Sequence, residues 1–309
     1  GNSSFYRFRL KFARKLIFSK WKHALGNELA VVVSGGAALQ SRLEKIFWAA
    51  GIPIIQGYGL TETSPVIAVN PLRIDELKLE TVGPILNGVQ VKLADDGEIL
   101  AKGPNLMMGY YKAPELTREV IDDDGYFHTG DIGVIEDGRF LKITDRKKEI
   151  FKLSAGKYVA PQPIENRIKE SPFIEQAMVI GENEKFASAL ISPNFGYLHD
   201  WCSTHRIQFR DNSDLIEMPE VINLYSKEIK EINSILGEHE QIKRFRLVTE
   251  EWSTQSGELS PTLKLRRNHL LEHYSDIITE IYAKGSSDNN VIEMIKNGIN
   301  GLLKNLPKF

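Results

Sequence analysis

The stretch from Ala30 to Ile55 limits the possible folds more than any other part of the chain. Ala30-Val31-Val32-Val33 is a short buried-strand pattern that opens into Ser34-Gly35-Gly36. Arg42 to Ala50 has helical periodicity, and Ile52-Pro53-Ile54-Ile55 is a second buried run. A strand, a helix and a second strand in this order form a parallel pair with the helix crossing one face, the repeating unit of α/β sheets. Part of an α/β sheet is therefore expected over residues 1–79.

From about Glu80 the pattern changes. Val89 to Leu93 alternates, Asp95-Asp96-Gly97 turns the chain, and Glu98 to Ala101 returns. Asp137-Gly138 between Val134-Ile135 and Phe140-Leu141 is a strong hairpin signal. Residues 80–144 are expected to form a small antiparallel β-barrel-like unit. A hinge is placed at 145–148, and a separate α+β domain at 149–284. In that domain Glu165–Glu170 follows two prolines suited to a first helical turn. Ala177–Ile180 and Ala187–Ile191 read as strands, and Glu220–Leu236 and Lys264–Tyr282 as long helices. The Gly/Ser/Asn-rich linker at 285–290 precedes an amphipathic tail with Val291, Ile295, Ile299, Leu302, Leu303 and Leu306 on one stripe, expected to dock as a helix.

Bulk properties exclude several classes. At 309 residues the chain suits about two domains of ~150 residues. A formal net charge of -2 gives no reason to invoke nucleic acid. The single cysteine, Cys202, excludes an internal disulfide and favours a reducing, cytoplasmic setting. No apolar run is long enough for a membrane span. Phe5 to Leu25 is amphipathic, with seven Arg and Lys. It reads as a helix packed on its own domain; peripheral contact with the inner face of a membrane is the alternative.

Four segments carry chemistry. Gln56-Gly57-Tyr58-Gly59-Leu60-Thr61-Glu62-Thr63 follows a buried strand, where α/β sheets bind ligands. Its aromatic, hydroxyl and carboxylate suit a nucleotide with its metal. The pattern lacks the third glycine of a dinucleotide fingerprint, and Ser64-Pro65 opens a helix poorly. In Gly125-Tyr126-Phe127-His128-Thr129-Gly130-Asp131, an aspartate on a glycine turn can accept hydrogen bonds from vicinal hydroxyls. Thr144-Asp145-Arg146-Lys147-Lys148-Glu149-Ile150 is a mixed charge run at the domain change, followed by Ser154-Ala155-Gly156-Lys157. Gly257-Glu258-Leu259-Ser260-Pro261-Thr262-Leu263-Lys264 presents a lysine on a loop ahead of a helix. Each alone is ordinary: a glycine turn, a capping aspartate, a solvated loop, a surface lysine. His269-Leu270-Leu271-Glu272-His273 matches the inverted zinc-protease pattern, but no third ligand is evident, and the match is set aside as chance.

Together and in this order, the four segments resemble the adenylate-forming superfamily, as do Ser34-Gly35-Gly36-Ala37-Ala38-Leu39 and Gly103-Pro104-Asn105-Leu106-Met107-Met108-Gly109-Tyr110-Tyr111. Phe18-Ser19-Lys20, Asp145-Arg146-Lys147-Lys148 and Pro261-Thr262-Leu263-Lys264-Leu265-Arg266-Arg267 are similar to its long-chain fatty acyl-CoA synthetase branch. The resemblance implies an acetyl-CoA synthetase-like fold and a site for ATP or AMP. In it, Gly35, Gly36 and Ala37 line the adenine and acyl side, with Gln56, Gly57, Tyr58 and Gly59 around the adenine. Thr61 contacts the α-phosphate and Glu62 binds Mg²⁺. Asp131 holds the ribose, and Arg146 supports ribose and phosphate. Lys264 serves adenylation. Lys148 is the hinge, with Asp145 as the rival position, and Ser154–Lys157 enters for the coenzyme A step.

Fatty acid, ATP and coenzyme A are the implied small-molecule partners. The resemblance also implies a Ser/Thr/Gly-rich phosphate loop in a partner half N-terminal to Gly1, so the 309 residues are expected to be inactive alone. A carrier-protein-loading acyl-AMP ligase, an aryl-CoA ligase and a non-catalytic nucleotide-binding module are the competing readings.

Overall fold

A computed structural model describes residues 4–73 and 75–283. The chain divides into two compact units, one ending at Lys148 and the other starting at Glu149.

In the first unit, helix α1 (Ser4–Ala13) passes through a π-helical stretch at Arg14–Phe18 into α2 (Ser19–Ala24). Trp21 meets Phe47 in a tilted ring contact, but the apolar stripe does not pack down as expected: Phe8 and Phe12 are 68% and 61% exposed. Strand β1 (Val32–Ser34), helix α3 (Ser41–Ala50) and strand β2 (Ile54–Gly59) form the parallel crossover. Gly51, left-handed at φ 71°, closes α3 as glycine does best. Strand β2 runs on through the glycine motif and pairs antiparallel with β3 (Val66–Val69), a strand the sequence reading did not contain.

An all-antiparallel sheet follows, built from β4 (Gly83–Pro84), β5 (Gln90–Leu93), β6 (Glu98–Lys102), β7 (Phe127–Glu136) and β8 (Phe140–Arg146), in the order β4-β8-β7-β6-β5. Edge strands β4 and β5 are not paired with each other, so the expected barrel is an open five-stranded sheet. Asp137 and Gly138 at φ 50° and 65° make the β7–β8 turn, the double left-handed geometry that Asp-Gly favours. Ile67, Ala68, Ile99, Ala101 and Leu141 form the core, and α4 (Pro114–Val120) sits in the β6–β7 connection.

The second unit begins with the short hairpin β9 (Phe151–Lys152) and β10 (Tyr158–Val159), then α5 (Pro161–Ile168). Strands β11 (Ile174–Ile180) and β12 (Ser188–Pro193) pair antiparallel. Helices α6 (Phe195–His205), α7 (Asn212–Ile216) and α8 (Pro219–Asn233) follow, and β13 (Arg244–Leu247) joins β12 in parallel. The helix expected from Lys264 to Tyr282 is two helices, α9 (Arg267–His273) and α10 (Ser275–Tyr282); Lys264 lies before the first. Two apolar clusters cover the two faces of this sheet, one around Leu190, Met178 and Trp252, the other around Ile191, Leu198 and Tyr225. The linker and tail expected at 285–309 lie outside the described residues.

Candidate functional site

Tyr58, on β2, donates its hydroxyl to Asp131 Oδ2 at 2.7 Å. Asp131 is only 4% exposed and lies in β7 directly across from Arg146 in β8, whose Nε is 3.2 Å from Asp131 Oδ1. Asp131 is thus a strand residue preceded by left-handed Gly130 (φ 72°), rather than the turn residue the sequence suggested. Burial first, then the Asp131 charge, pushes the Tyr58 hydroxyl far above its ordinary value, so it remains a donor. Three segments 73 and 15 residues apart in sequence meet at one carboxylate.

Thr61 and Glu62 share the 3-10 turn Thr61–Thr63 that follows β2. The buried Thr63 hydroxyl accepts from Leu60 N–H at 2.9 Å and donates to Pro65 O at 2.7 Å, folding the turn back on itself. A Cβ on Gly59 would overlap the Pro65 carbonyl, so this glycine is required by the chain's own backbone. At Gly57 a Cβ would meet only ordinary contacts, the nearest at 3.5 Å. The motif's two glycines therefore differ in purpose. A Cβ on Gly35, in the loop after β1, would lie 3.8 Å from Gly57 O, which places the Ser34–Gly36 loop, with left-handed Gly36, beside the motif; Ala37 is exposed there. The Gln56 side chain points elsewhere: its amide donates to buried Glu44 at 3.1 Å.

The segment Gly103–Tyr111 clamps this turn. Asn105 Nδ2 donates to Thr63 O and Val66 O at 2.9 and 3.0 Å, and Met107 N–H to Glu62 O at 2.8 Å. Tyr110 Oη donates to Glu62 Oε1 at 3.0 Å; burial, then that hydrogen bond, raises the Tyr110 hydroxyl. Among the described residues no group of three or more His, Cys, Asp or Glu is placed to hold a metal ion, His269 and His273 included. One carboxylate, Glu62, suits Mg²⁺, which keeps its waters and binds through one or two carboxylates plus substrate phosphates.

One network was invisible in the sequence. Glu98, 4% exposed, accepts from Gly130 N–H at 2.9 Å, Lys147 Nζ at 2.8 Å and His128 Nδ1 at 3.2 Å. It holds the Gly130 amide directly before Asp131 and the side chain of Lys147 directly after Arg146. Lys147 also pairs with Asp96 at 2.7 Å. Asp145, 1% exposed, sits in β8 opposite Ile132 and accepts from Arg146 N–H at 2.6 Å; it is strand, not loop. Lys148 follows in the turn that ends the first unit.

In the second unit, Ser154–Lys157 is the tight turn between β9 and β10. Leu153 N–H donates to Lys157 O at 2.8 Å, Gly156 is left-handed at φ 84°, and Ser154 N–H bonds Glu184 O at 2.9 Å. Lys264 ends a second turn: Ser260 N–H donates to Lys264 O at 2.8 Å and Lys264 N–H to Ser260 Oγ at 3.1 Å.

This fold and this order of motifs are those of the AMP-binding enzyme family, to which the chain belongs: the AMP-binding enzyme profile matches residues 5–111 and the AMP-binding enzyme C-terminal domain profile matches 148–286. Its relatives are long-chain fatty acid–CoA ligases. A long-chain-fatty-acid–CoA ligase of Mycobacterium tuberculosis is 35% identical over 271 residues, 87% of this chain and 45% of the relative. A peroxisomal long chain acyl-CoA synthetase of Arabidopsis thaliana is 33% identical over 305 residues, 91% of this chain and 42% of the relative. The chain thus spans less than half the length of these relatives. Among solved structures, the A-PCP didomain of the Segniliparus rugosus carboxylic acid reductase, in complex with AMP, aligns with a TM-score of 0.68 at 24% identity, covering 86% of this chain and 36% of that one. An ATP-bound RpMatB–BxBclM chimera aligns at 0.61 and 25%, covering 80% and 46%.

Proposed function

We propose that the chain supplies the ribose-binding and lysine-bearing parts of an ATP-dependent fatty acid–CoA ligase. The observation that carries this reading is the meeting of Tyr58, Asp131 and Arg146. Each carboxylate oxygen can accept two hydrogen bonds, so Asp131 can serve Tyr58, Arg146 and the vicinal hydroxyls of a ribose together.

A fatty carboxylate is a poor acyl donor because its leaving group would be oxide. Its oxygen attacks the α-phosphorus of ATP, the bond to the β-phosphate oxygen breaks, and pyrophosphate departs, leaving an acyl adenylate. The thiol of coenzyme A then loses its proton and attacks the carbonyl carbon, and the carbonyl–oxygen bond to AMP breaks. Thr61 contacts the α-phosphate in the first step, and Lys264 stabilises charge gathering on the phosphoryl oxygens. Glu62, oriented by Tyr110, would hold Mg²⁺, which neutralises phosphate charge when bound. Gly35, Gly36 and Ala37 line the adenine and acyl side. The second step uses the Ser154–Lys157 turn instead of Lys264. Both belong to the C-terminal unit, so we place the pivot between the steps at Lys148. Asp145, locked in β8, suits that role less.

The phosphate loop is assigned to sequence beyond these 309 residues, so the chain alone should form no acyl-CoA at a useful rate; ATP- and CoA-dependent thioester formation by it would sink that part. The activity itself is tested in the complete gene product by acid-dependent exchange of pyrophosphate into ATP. Long-chain fatty acids should support exchange, with coenzyme A as the acceptor in the second step. Exchange only with aryl acids, transfer only to a carrier protein, or no exchange at all would overturn the assignment.

A further inference from the structure

Arg267 opens α9 three residues after Lys264, and its side chain is only 16% exposed. Nε donates to Glu149 Oε2 at 2.9 Å, and Nη2 lies 2.8 and 2.7 Å from the two oxygens of Glu165. Nη1 reaches Val179 O at 3.4 Å. Glu165 also accepts from Val179 N–H at 2.7 Å, and Glu149 from Gln162 Nε2 at 3.0 Å. One planar guanidinium therefore joins four places: the end of the Lys264 turn, helix α5, strand β11, and Glu149, where the chain enters the C-terminal unit. Buried ion groups of this kind stabilise weakly against apolar replacements, so their presence asks for another reason. A rigid fork of donors fixes angles as well as distances, which an ammonium does not.

The turn is stiff up to that anchor. Arg266 N–H donates to Glu258 O at 2.8 Å, Leu259 bridges Leu265, and Leu263 N–H bonds Ser260 O at 2.8 Å. Leu263 is held at φ 60°, a conformation unfavourable for a leucine and kept only where its surroundings impose it. From Glu149 through Arg267 to Lys264 the connection is continuous, whereas the bonds described at Ser154–Lys157 run to Leu153 and Glu184.

We propose that Arg267 is a positioning residue for the adenylation step: it ties the Lys264 turn to Glu149, so that the lysine and the incoming chain move as one body. The proposal rests on the adenylation role given to Lys264 above. Arg267→Ala would leave two carboxylates without their partner, so Arg267→Lys is the primary variant and Glu149→Gln, at the more exposed end, the second. In the chain itself, hydrogen–deuterium exchange at the amides of Ser260, Leu263, Lys264 and Arg266 should speed up about tenfold or more in Arg267→Lys, while Leu190 and Ile191 in β12 stay protected. In the complete gene product, acid-dependent pyrophosphate exchange should fall about 10²-fold, while thioester formation from supplied acyl adenylate stays within about twofold. Glu149→Gln should show the same split at smaller amplitude, and it decides the matter if Arg267→Lys loosens β12 as well. Unchanged exchange at the turn amides, or equal losses in both half-reactions, would overturn the proposal. A wild-type enzyme without pyrophosphate exchange would defeat the functional reading instead, and the turn amides would still judge the tether.

Discussion

Replacing Glu98 with alanine removes one carboxylate that three donors share. Gly130 N–H, half-buried, would be left without its acceptor, a cost of about 1–3 kcal/mol, and the charge-assisted bond from Lys147 is worth about 1.5–3 kcal/mol. Lys147 is half-exposed and keeps Asp96, so the second figure is discounted, for a total of about 2–4 kcal/mol. Glu98→Gln can keep the Gly130 bond and should cost about 1–2 kcal/mol. With a urea slope of about 2 kcal/mol per M, the middle of the usual range, the alanine variant should move the unfolding midpoint of the first unit down by about 1–2 M. Trp21 and Trp48 report on that unit, and Trp201 and Trp252 on the other. A background with Trp201 and Trp252 replaced by Phe isolates the first transition. In the complementary background, with Trp21 and Trp48 replaced by Phe, the transition reported by Trp201 and Trp252 should not move. Equal stability of wild type and Glu98→Ala would refute the argument that this network braces the β7–β8 pair.

The network also makes a pH prediction. Burial pushes the Glu98 carboxyl up, but the bonds from Lys147, His128 and Gly130 outweigh it and hold it below its ordinary value. A carboxylate depressed in the folded state adds stability above its unfolded value and loses it as pH falls through the folded one. The gap between wild type and Glu98→Gln should therefore be full at neutral pH and close in acid, read from urea midpoints; a gap that widens in acid contradicts the sign. Gly59→Ala should unfold or distort the β2–β3 turn at a cost of about 3 kcal/mol or more, since the added methyl meets a carbonyl rather than a yielding side chain; Gly57→Ala should cost about 1 kcal/mol or less. Thermal melts of the pair distinguish them, and equal melting points would refute the contrast. Tyr58→Phe should weaken ATP binding through a less well-fixed Asp131, and Asp131→Asn should do so by about tenfold or more, seen as a rise in KM for ATP with kcat less affected. A pure kcat loss would place Asp131 in the chemistry rather than in ribose binding.

How much of this was legible in the sequence depended on locality. The βαβ unit and the Asp137–Gly138 hairpin announce themselves because their patterns lie within a few residues. Asp145 did not, because charged residues in a mixed run read as solvated, and Glu98 read only as the start of a returning strand. Only cross-strand neighbours reveal that β8 buries Asp145 and that the segments carrying Gly130 and Lys147 supply donors for Glu98. Helix α6 carries a local signal in the sequence: Asn194 caps it, accepting from Tyr197 N–H at 3.1 Å. The break before α9 was hidden, since the amphipathic pattern runs on while the backbone of Arg266 is taken by Glu258. Motif order pointed to Tyr58, Asp131 and Arg146 separately. Their meeting at one carboxylate, and the part of Asn105 and Tyr110 in holding the Glu62 turn, needed the fold.

We propose that Lys264 serves adenylyl transfer from ATP to a fatty acid. It is tested most directly by acid-dependent pyrophosphate exchange in the complete gene product, comparing wild type with Lys264→Ala. Loss of one preorganised charge at the reacting phosphate should lower exchange by about 10²–10³-fold, while thioester formation from supplied acyl adenylate persists. Undiminished exchange in Lys264→Ala would contradict the account.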